Sequence, residues 1–406
     1  MLIIYNIGIK LYYFFAIIAS LVNTKANAWV NGRKAQKVIA LPKSIWFHFA
    51  SLGEFEQGRP VLEAVKAQYP SHKIVITFFS PSGYEIRKNT PLADAVYYLP
   101  LDTAQNAQQF INIVKPAAVI FTKYEYWYHY FNELHKQQIP LYVISAIFRP
   151  KQIFFKWYGS LHRNMLTKVT RFFVQDEASQ KLLSTIGISN IQVSGDTRFD
   201  RVYANAQQPK DLPVIAKFKN NQPVFIAGST WPADEELLVQ IIERYPNWKF
   251  IFAPHEIPED KVNKLMSLLP VGKAVRFSQI TALTTPLSTH QILVIDNIGM
   301  LSSLYQYGEV AYIGGGFGVG IHNTLEAAAF GLPVIFGPNY SRFKEARDLV
   351  ALKAGFSINN AGQLQEIVKK LITDANFRHA ASTVARHFVE ESKGATTMIM
   401  QNISLK

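Results

Sequence analysis

Glu54, Glu125 and Arg198 stand where a chain could do acid–base or electrostatic chemistry, and a glycine run from Gly314 to Gly320 stands where it could hold an anion. In "WFHFASLGEFEQGRP" an apolar run breaks at Ser51-Leu52-Gly53 and Glu54 follows at once, with Glu56 two residues on. A carboxylate at a helix start is favoured by about 0.3–1 kcal/mol, so Glu54 can serve as a cap. At the carboxyl end of a strand it can equally serve as a general base. Glu125, in "IFTKYEYWYHY", follows a second apolar run and has a similar pair of readings: a site carboxylate, or a solvated helix-start residue among core aromatics. Arg198, in "SGDTRFDRV", is expected to face a ligand cleft, or else to form a surface ion pair with Asp196 or Asp200 that is worth little.

The glycines lie in "VAYIGGGFGVGIHNTLEAAAFGLPVIFG". The G-x-G-x-x-G dinucleotide fingerprint fails, because counting from Gly314 or Gly316 its last position falls on Val319 or Ile321. The physical content survives: Gly315 and Gly316 let backbone approach a ligand closely, and amides at the start of a helix expected over Asn323–Phe330 can bind a phosphate. Glu326, one turn in, can take ribose hydroxyls; the alternative is a glycine loop made only for packing. In "FIAGSTWPADEE", Ser229 or Thr230 can cap the helix that follows or meet a ligand. The lone His255 of "FAPHEIPED" is of a kind more often structural than catalytic. H-E-x-x-H, P-loop and EF-hand patterns are missing from the sequence, so neither a metal site nor a cofactor is expected.

Around these residues, short apolar runs alternate with amphipathic segments. Strands are expected over 45–49, 73–79, 95–99, 117–121, 141–145 and 171–174, and again over 223–228, 249–253, 291–295, 310–314 and 332–336. This rhythm argues for α/β architecture, two Rossmann-like domains with parallel sheets and a cleft between them. The expected division is 1–28 as a membrane anchor segment, 29–205 as a first Rossmann-like domain, 206–222 as a linker, and 223–406 as a second Rossmann-like domain ending in helices.

Composition narrows the partners. The chain has 406 residues, 49% hydrophobic and 17% charged, enough to bury substantial cores. It has no cysteine, which removes thiol catalysis and disulfides. A formal net charge of +13 points to an anionic partner. No basic low-complexity tail, zinc-finger spacing or RNA-recognition motif favours nucleic acid. The run Leu2–Val22 is long enough to span or nearly span a bilayer. A cleaved signal peptide ending near Ala26-Asn27-Ala28 is the competing reading, but Lys25, Arg33, Lys34, Lys37 and Lys43 on the far flank favour a retained anchor with the body in the cytoplasm.

Taken together, "ASLGE", "KYEYW", "SGDTRFDRV", "AGST" and "HNTLEAAAFGLPVIFGP" resemble the 3-deoxy-D-manno-octulosonic acid (Kdo) transferases of lipopolysaccharide assembly, from the apolar start to about residue 350. The resemblance implies a GT-B glycosyltransferase fold, a CMP-Kdo donor, a lipid A precursor as acceptor, and a place on the cytoplasmic face of the inner membrane, against membrane lipid. On this resemblance Glu54 falls on the family's general base, and Glu125 and Arg198 on positions credited with stabilising the transition state. The family usually has lysine where Arg198 stands, which keeps the charge and changes the geometry. Asn323-Thr324-Leu325-Glu326 falls on the CMP-binding helix start. Ile298-Gly299-Met300 matches a nucleotide-contacting loop in which Met300 replaces the usual glutamate. Pro254-His255 falls where the family has Arg-His, so one cation is missing. Two other functions stay open on the sequence: another GT-B nucleotide-sugar enzyme, such as an epimerase or a transferase with a different donor, and a non-catalytic membrane-associated binding protein.

Overall fold

Runs such as "IWFHF", "IVITF" and "AVIFT" become strands buried on both faces, as a parallel sheet covered by helices requires. The computed structural model describes residues 1–405. The chain divides into two units, Met1–Arg201 together with the chain from Lys393 onward, and Val202–Ser392.

The first unit holds β1 (Ile45–Phe49), β2 (Ile74–Phe78), β3 (Ala95–Tyr98), β4 (Ala118–Thr122), β5 (Leu141–Ala146), β6 (Arg171–Val174) and β7 (Ile191–Val193). Their order is β3-β2-β1-β4-β5-β6-β7, all parallel. The second unit holds β8 (Val224–Thr230), β9 (Lys249–Pro254), β10 (Ala274–Arg276), β11 (Ile292–Val294), β12 (Val310–Ile313), β13 (Val334–Phe336) and β14 (Gly355–Ser357). Their order is β10-β11-β9-β8-β12-β13-β14, again all parallel. Each sheet reverses its winding once, between β1 and β4 and between β8 and β12. Loops diverge there and open a crevice at the carboxyl ends of the strands.

The expected strands all form, with ends moved by one or two residues. β7, β10 and β14 were not anticipated. Each has three residues and lies at a sheet edge, so its conformation comes from a neighbouring strand rather than from its own pattern.

Two expectations about domain limits are corrected. Residues 206–222 are not a free linker. They contain a helix, Pro213–Lys219, whose Ile215 and Phe218 are fully buried. The Leu212 amide donates to the Tyr307 hydroxyl at 2.8 Å, and Lys219 Nζ meets Glu309 Oε1 at 2.8 Å. The second correction concerns the C-terminus, expected to stay with the second domain. The helix Ala395–Asn402 belongs to the first unit, with Ile399 and Ile403 in the core against β1 and β2. Asp200 accepts hydrogen bonds from the Gly394 amide at 2.5 Å and from the Thr396 amide and hydroxyl at 2.7 Å. That pairing is the actual partner of Asp200, one of the two acids considered for Arg198.

At the N-terminus, α1 (Leu2–Ser20) turns into α2 (Thr24–Ala35), which Asn23 caps by accepting from the Ala26 amide at 3.0 Å. α2 is pinned by Arg33, whose guanidinium lies 3.7 Å from the Trp29 ring centroid and donates to the carbonyls of Leu99 at 2.9 Å and Phe79 at 2.7 Å. Burial pulls the Arg33 pKa down to about 10. α1 is long and apolar enough to cross a membrane by length and composition. Its stripe Leu2, Tyr5, Asn6, Ile9, Tyr13, Ile17 is partly covered, while Ile3, Ile4, Ile7, Phe14 and Phe15 on the other side are exposed.

Candidate active site

In the first unit, β1 ends at Phe49 and α3 (Leu52–Gln68) starts after Ser51, whose extended backbone makes it the N-cap. Glu54 therefore sits in the first turn of α3, beside the β1/β4 switch. The Ser51 hydroxyl donates to Glu54 Oε2 at 3.2 Å, and the Ser51 side chain makes no cap hydrogen bond at this helix start. Burial pushes the Glu54 pKa up, the charge of Glu125 pushes it further, and Lys123 with the Ser51 bonds only partly offsets them; the result is about 7. A carboxylate held there is half-ionised at neutral pH, in the range that suits a general base. Glu56, by contrast, is engaged by Arg87 at 2.6 Å and Arg59 at 3.6 Å on the surface of the same helix.

Glu125 follows β4 in the segment between that strand and the helix Tyr128–Lys136. It accepts from Trp127 Nε1 at 2.9 Å and from His48 Nε2 at 3.1 Å. His48 is fully buried on β1, and its Nδ1 lies 2.8 Å from the Thr77 hydroxyl, which also accepts from Trp46 Nε1 at 2.8 Å. Placing the imidazole proton on Nε2, with the Thr77 hydroxyl donating to Nδ1, satisfies both ring nitrogens. Glu125 is thus a braced, largely buried carboxylate rather than a solvated helix-start residue, its side chain being 13% exposed.

Arg198 is paired with Asp196, as one of its two readings anticipated, but the pair is not a surface one. Asp196 is 6% exposed and accepts from the Arg198 amide and Nε, each at 2.9 Å, and from Gln57 Nε2 of α3 at 2.8 Å. Burial opposes ionisation of Asp196, but Arg198's charge and hydrogen bonds, with help from Lys123, hold its pKa below the usual carboxylate range. Thr197 donates to the Gln57 carbonyl and lies 2.8 Å from the Ser145 hydroxyl, which locks this segment onto α3. The fold therefore gathers Glu54, Glu125 and Arg198 at the carboxyl edge of the sheet, with Lys123 acting on Glu54 and Asp196, and Tyr124 beside them facing the charges of Arg149 and Arg198. Lys123 and His48 were missed in the sequence. Lys123 has φ +66°, an uncommon conformation for lysine that marks a sharp exit from β4; His48 lies inside an apolar run and reads there as core.

In the second unit, β12 ends at Ile313 and Gly314 follows it beside the β8/β12 switch. Gly315 has φ +90°, and a Cβ on Gly316 would lie 2.5 Å from the Gly337 amide nitrogen, so no side chain fits there. Asp234 fastens this loop: it accepts from the Gly315 amide at 2.8 Å, the Trp231 amide at 2.9 Å and the Tyr312 hydroxyl at 2.7 Å. Ser229, the last but one residue of β8, has φ +52° and makes no helix cap; Trp231 takes the N-cap position. His255 follows Pro254 at the end of β9 and donates its amide to the Thr230 carbonyl at 2.9 Å. Its ring stacks on both Trp231, centroids 4.9 Å apart, and His322, 4.2 Å apart, which lie side by side. Burial and the neighbouring His255 drive the His322 pKa down to about 4, and its Nε2 accepts from Trp231 Nε1 at 3.0 Å. Trp231 and His322 were not anticipated, because only stacking across three loops reveals them.

The expected helix from Asn323 is shorter, Leu325–Ala329, with Thr324 as N-cap. Asn323 bridges its start, accepting from the Leu325 amide and donating to Glu326 Oε1, both at 3.1 Å. The Thr324 hydroxyl is buried with no hydrogen-bond partner among the described residues. Ile298 is exposed, Gly299 has φ +94°, and Met300 precedes the short helix Leu301–Leu304, whose first residue would contact a Cβ on Gly228.

Residues 24–201 match the family model of 3-deoxy-D-manno-octulosonic-acid transferases. The chain is 27% identical over 373 residues to the 3-deoxy-D-manno-octulosonic acid transferase of Haemophilus influenzae, covering 88% of this chain and 86% of that one. It is 26% identical over 338 residues to the enzyme of the same description from Aquifex aeolicus, covering 81% and 86%. Among solved structures it resembles the UDP-GlcNAc 2-epimerase of Neisseria meningitidis, with TM-score 0.63, 14% identity and coverage of 88% and 98%; that likeness shows the two-domain GT-B-type fold alone. The chain thus matches the Kdo transferase family model over residues 24–201 and is similar to Kdo transferases over most of its length.

Proposed function

We propose that the protein is an inverting glycosyltransferase that moves Kdo from CMP-Kdo to a lipid A precursor, on the cytoplasmic face of the inner membrane. The family domain and the relatives support the general class, a glycosyltransferase of lipopolysaccharide assembly. The observation that carries the mechanism is Glu54, a largely buried carboxylate with its pKa near 7 at the switch point of the first unit.

In this reading the acceptor hydroxyl attacks the anomeric carbon of Kdo, and its proton passes to Glu54. The new oxygen–carbon bond forms as the bond to the CMP phosphate breaks, and CMP leaves as an anion. Glu125 and Arg198 hold the charge that develops around the reacting carbon, Glu125 braced by His48 and Trp127, Arg198 by Asp196. In the second unit the backbone at Gly315 and Gly316, Ser229, and the Asn323–Glu326 helix start bind CMP. The unpartnered Thr324 hydroxyl supports a polar ligand there. Pro254, His255 and the Ile298-Gly299-Met300 loop border the same switch and complete the donor site.

The exposed apolar face of α1 and the formal charge of +13 suit a negatively charged lipid surface and a phosphorylated lipid acceptor. The deciding experiment incubates the protein with CMP-Kdo and a tetra-acylated lipid A precursor and weighs the lipid product. A mass gain of one or more Kdo units is expected; release of free sugar, or activity only with a UDP-sugar, would overturn the reading.

A further inference from the structure

Asp102 is a buried carboxylate that the reaction does not use, and it joins two segments of very different character. It follows β3, is 2% exposed, and accepts from the amides of His129 at 3.1 Å and Tyr130 at 3.0 Å, in the first turn of the Tyr128–Lys136 helix. A carboxylate in that place satisfies amides that have no partner within the helix and complements the helix dipole. Its remaining capacity is taken by the N-terminal apolar helix: the Tyr5 hydroxyl donates to Asp102 Oδ2 at 2.5 Å. The neighbouring Asn6 Oδ1 lies 2.7 Å from His129 Nε2 and, as an amide oxygen, accepts a hydrogen bond from the Nε2–H tautomer. The Tyr5 ring packs on Tyr128 at 5.9 Å and on His129 at 6.0 Å.

The first turn of this helix is continuous with the segment that carries Glu125 and Trp127. That segment is tied at one end to β4 and at the other to this turn, and between them it is held by the Glu125–His48 bond at 3.1 Å and by Tyr126 packed on Phe148 and Phe154. Trp127 in addition stacks on Phe79 at 5.1 Å, and Phe79 touches Tyr12 of α1 at 6.2 Å. An apolar helix that needed only to sit in lipid would gain nothing from Tyr5 and Asn6 on its covered stripe. Polar side chains in that stripe, each matched to a buried polar partner, specify one seat on the domain.

We propose that Tyr5 and Asn6 are positioning residues which, through Asp102 and His129, hold the Glu125–Trp127 segment in its working conformation, so that the transfer site depends on α1 being seated on the domain. The inference rests on Glu125 being a site residue, but its structural half can be tested without any substrate.

The experiment uses the full chain in detergent micelles. Hydrogen exchange across residues 123–131 is followed by mass spectrometry in the wild type, in Tyr5→Phe and in Asn6→Ala, with Ile3→Ala on the exposed face of α1 as control. Exchange in this segment should rise by about tenfold in Tyr5→Phe, whose only loss is the hydroxyl, and stay unchanged in Ile3→Ala. Turnover of acceptor is measured in parallel: kcat should fall by about 5–20-fold in Tyr5→Phe while CMP affinity, thermal midpoint and sedimentation with membranes hold, a split that a merely structural tyrosine would not give. Unchanged exchange in both variants overturns the link, and faster exchange with unchanged kcat overturns its bearing on the site. If the wild type itself transfers no Kdo, the proposed function falls while the exchange data still decide whether α1 orders the Glu125 segment.

Discussion

The two units share one winding plan and put opposite chemistry at the same topological place. At the β1/β4 switch the first unit collects charge: Glu54, Glu125 and Asp196 with Lys123 and Arg198. At the β8/β12 switch the second unit collects backbone: Gly314, Gly315 and Gly316, with its buried carboxylate, Asp234, bonded to the Gly315 and Trp231 amides and the Tyr312 hydroxyl. The difference lies in what each carboxylate is left to do. Asp234 has its oxygens occupied by three donors, so it fastens a loop and has little left for proton transfer. Burial raises the proton affinity of both acids, but at Asp234 three donors oppose it, whereas Glu54 is bonded by Ser51 alone and the like charge of Glu125 adds to the effect of burial. A doubly wound sheet offers a crevice in each unit, and in the proposed function the first crevice reacts and the second binds.

The sharpest way to break this contrast is at Glu54. Glu54→Gln keeps shape and hydrogen bonding but removes the base, and turnover is expected to fall by about 10²–10⁴-fold with CMP affinity nearly intact. A variant keeping more than about a tenth of wild-type turnover would leave Glu54 as a cap and no more. The matching change in the second unit should do the reverse. Glu326→Ala is expected to weaken CMP binding by about 1–3 kcal/mol, read by calorimetry, with kcat at saturating donor much less affected.

A smaller effect sharpens the electrostatic side. Activity should rise with pH through about 7 as Glu54 loses its proton. Because Lys123 favours the ionised form, Lys123→Ala should move that limb upward, by about one pH unit or less in a site open to water. Stability follows the opposite sense. Between the ordinary value of 4.5 and about 7, native Glu54 is protonated while the unfolded chain's is ionised, so rising pH costs stability over that window. Glu54→Gln should therefore gain thermal stability on the wild type as pH climbs from 4.5 to 7 and keep the margin above it, measured by melting at several pH values. The least effect is expected at Glu56: its ion pairs with Arg87 and Arg59 are partly exposed, and Glu56→Gln should change stability by no more than about 0.5 kcal/mol and turnover hardly at all.

Much of the frame was determined by the sequence itself. Apolar runs of four to seven residues, each closing in glycine or polar residues, determined the central strands of both sheets, because a strand buried on both faces must be apolar throughout. The positions of Glu54, Glu125 and the glycine run after such strands placed them at carboxyl ends, where parallel sheets bind ligands. Only the tertiary structure decided the rest. The edge strands β7, β10 and β14 exist because a neighbour offers hydrogen bonds. The C-terminal helix returns to the first unit because Asp200 and the core around β1 receive it, and an amphipathic helix does not name its own partner. His48, Lys123, Trp231 and His322 enter the sites through contacts between residues far apart in the chain, which no local pattern encodes. The pKa of Glu54 is likewise a property of burial and of a charge brought from another strand, so the residue could be named from the sequence but its chemistry could not.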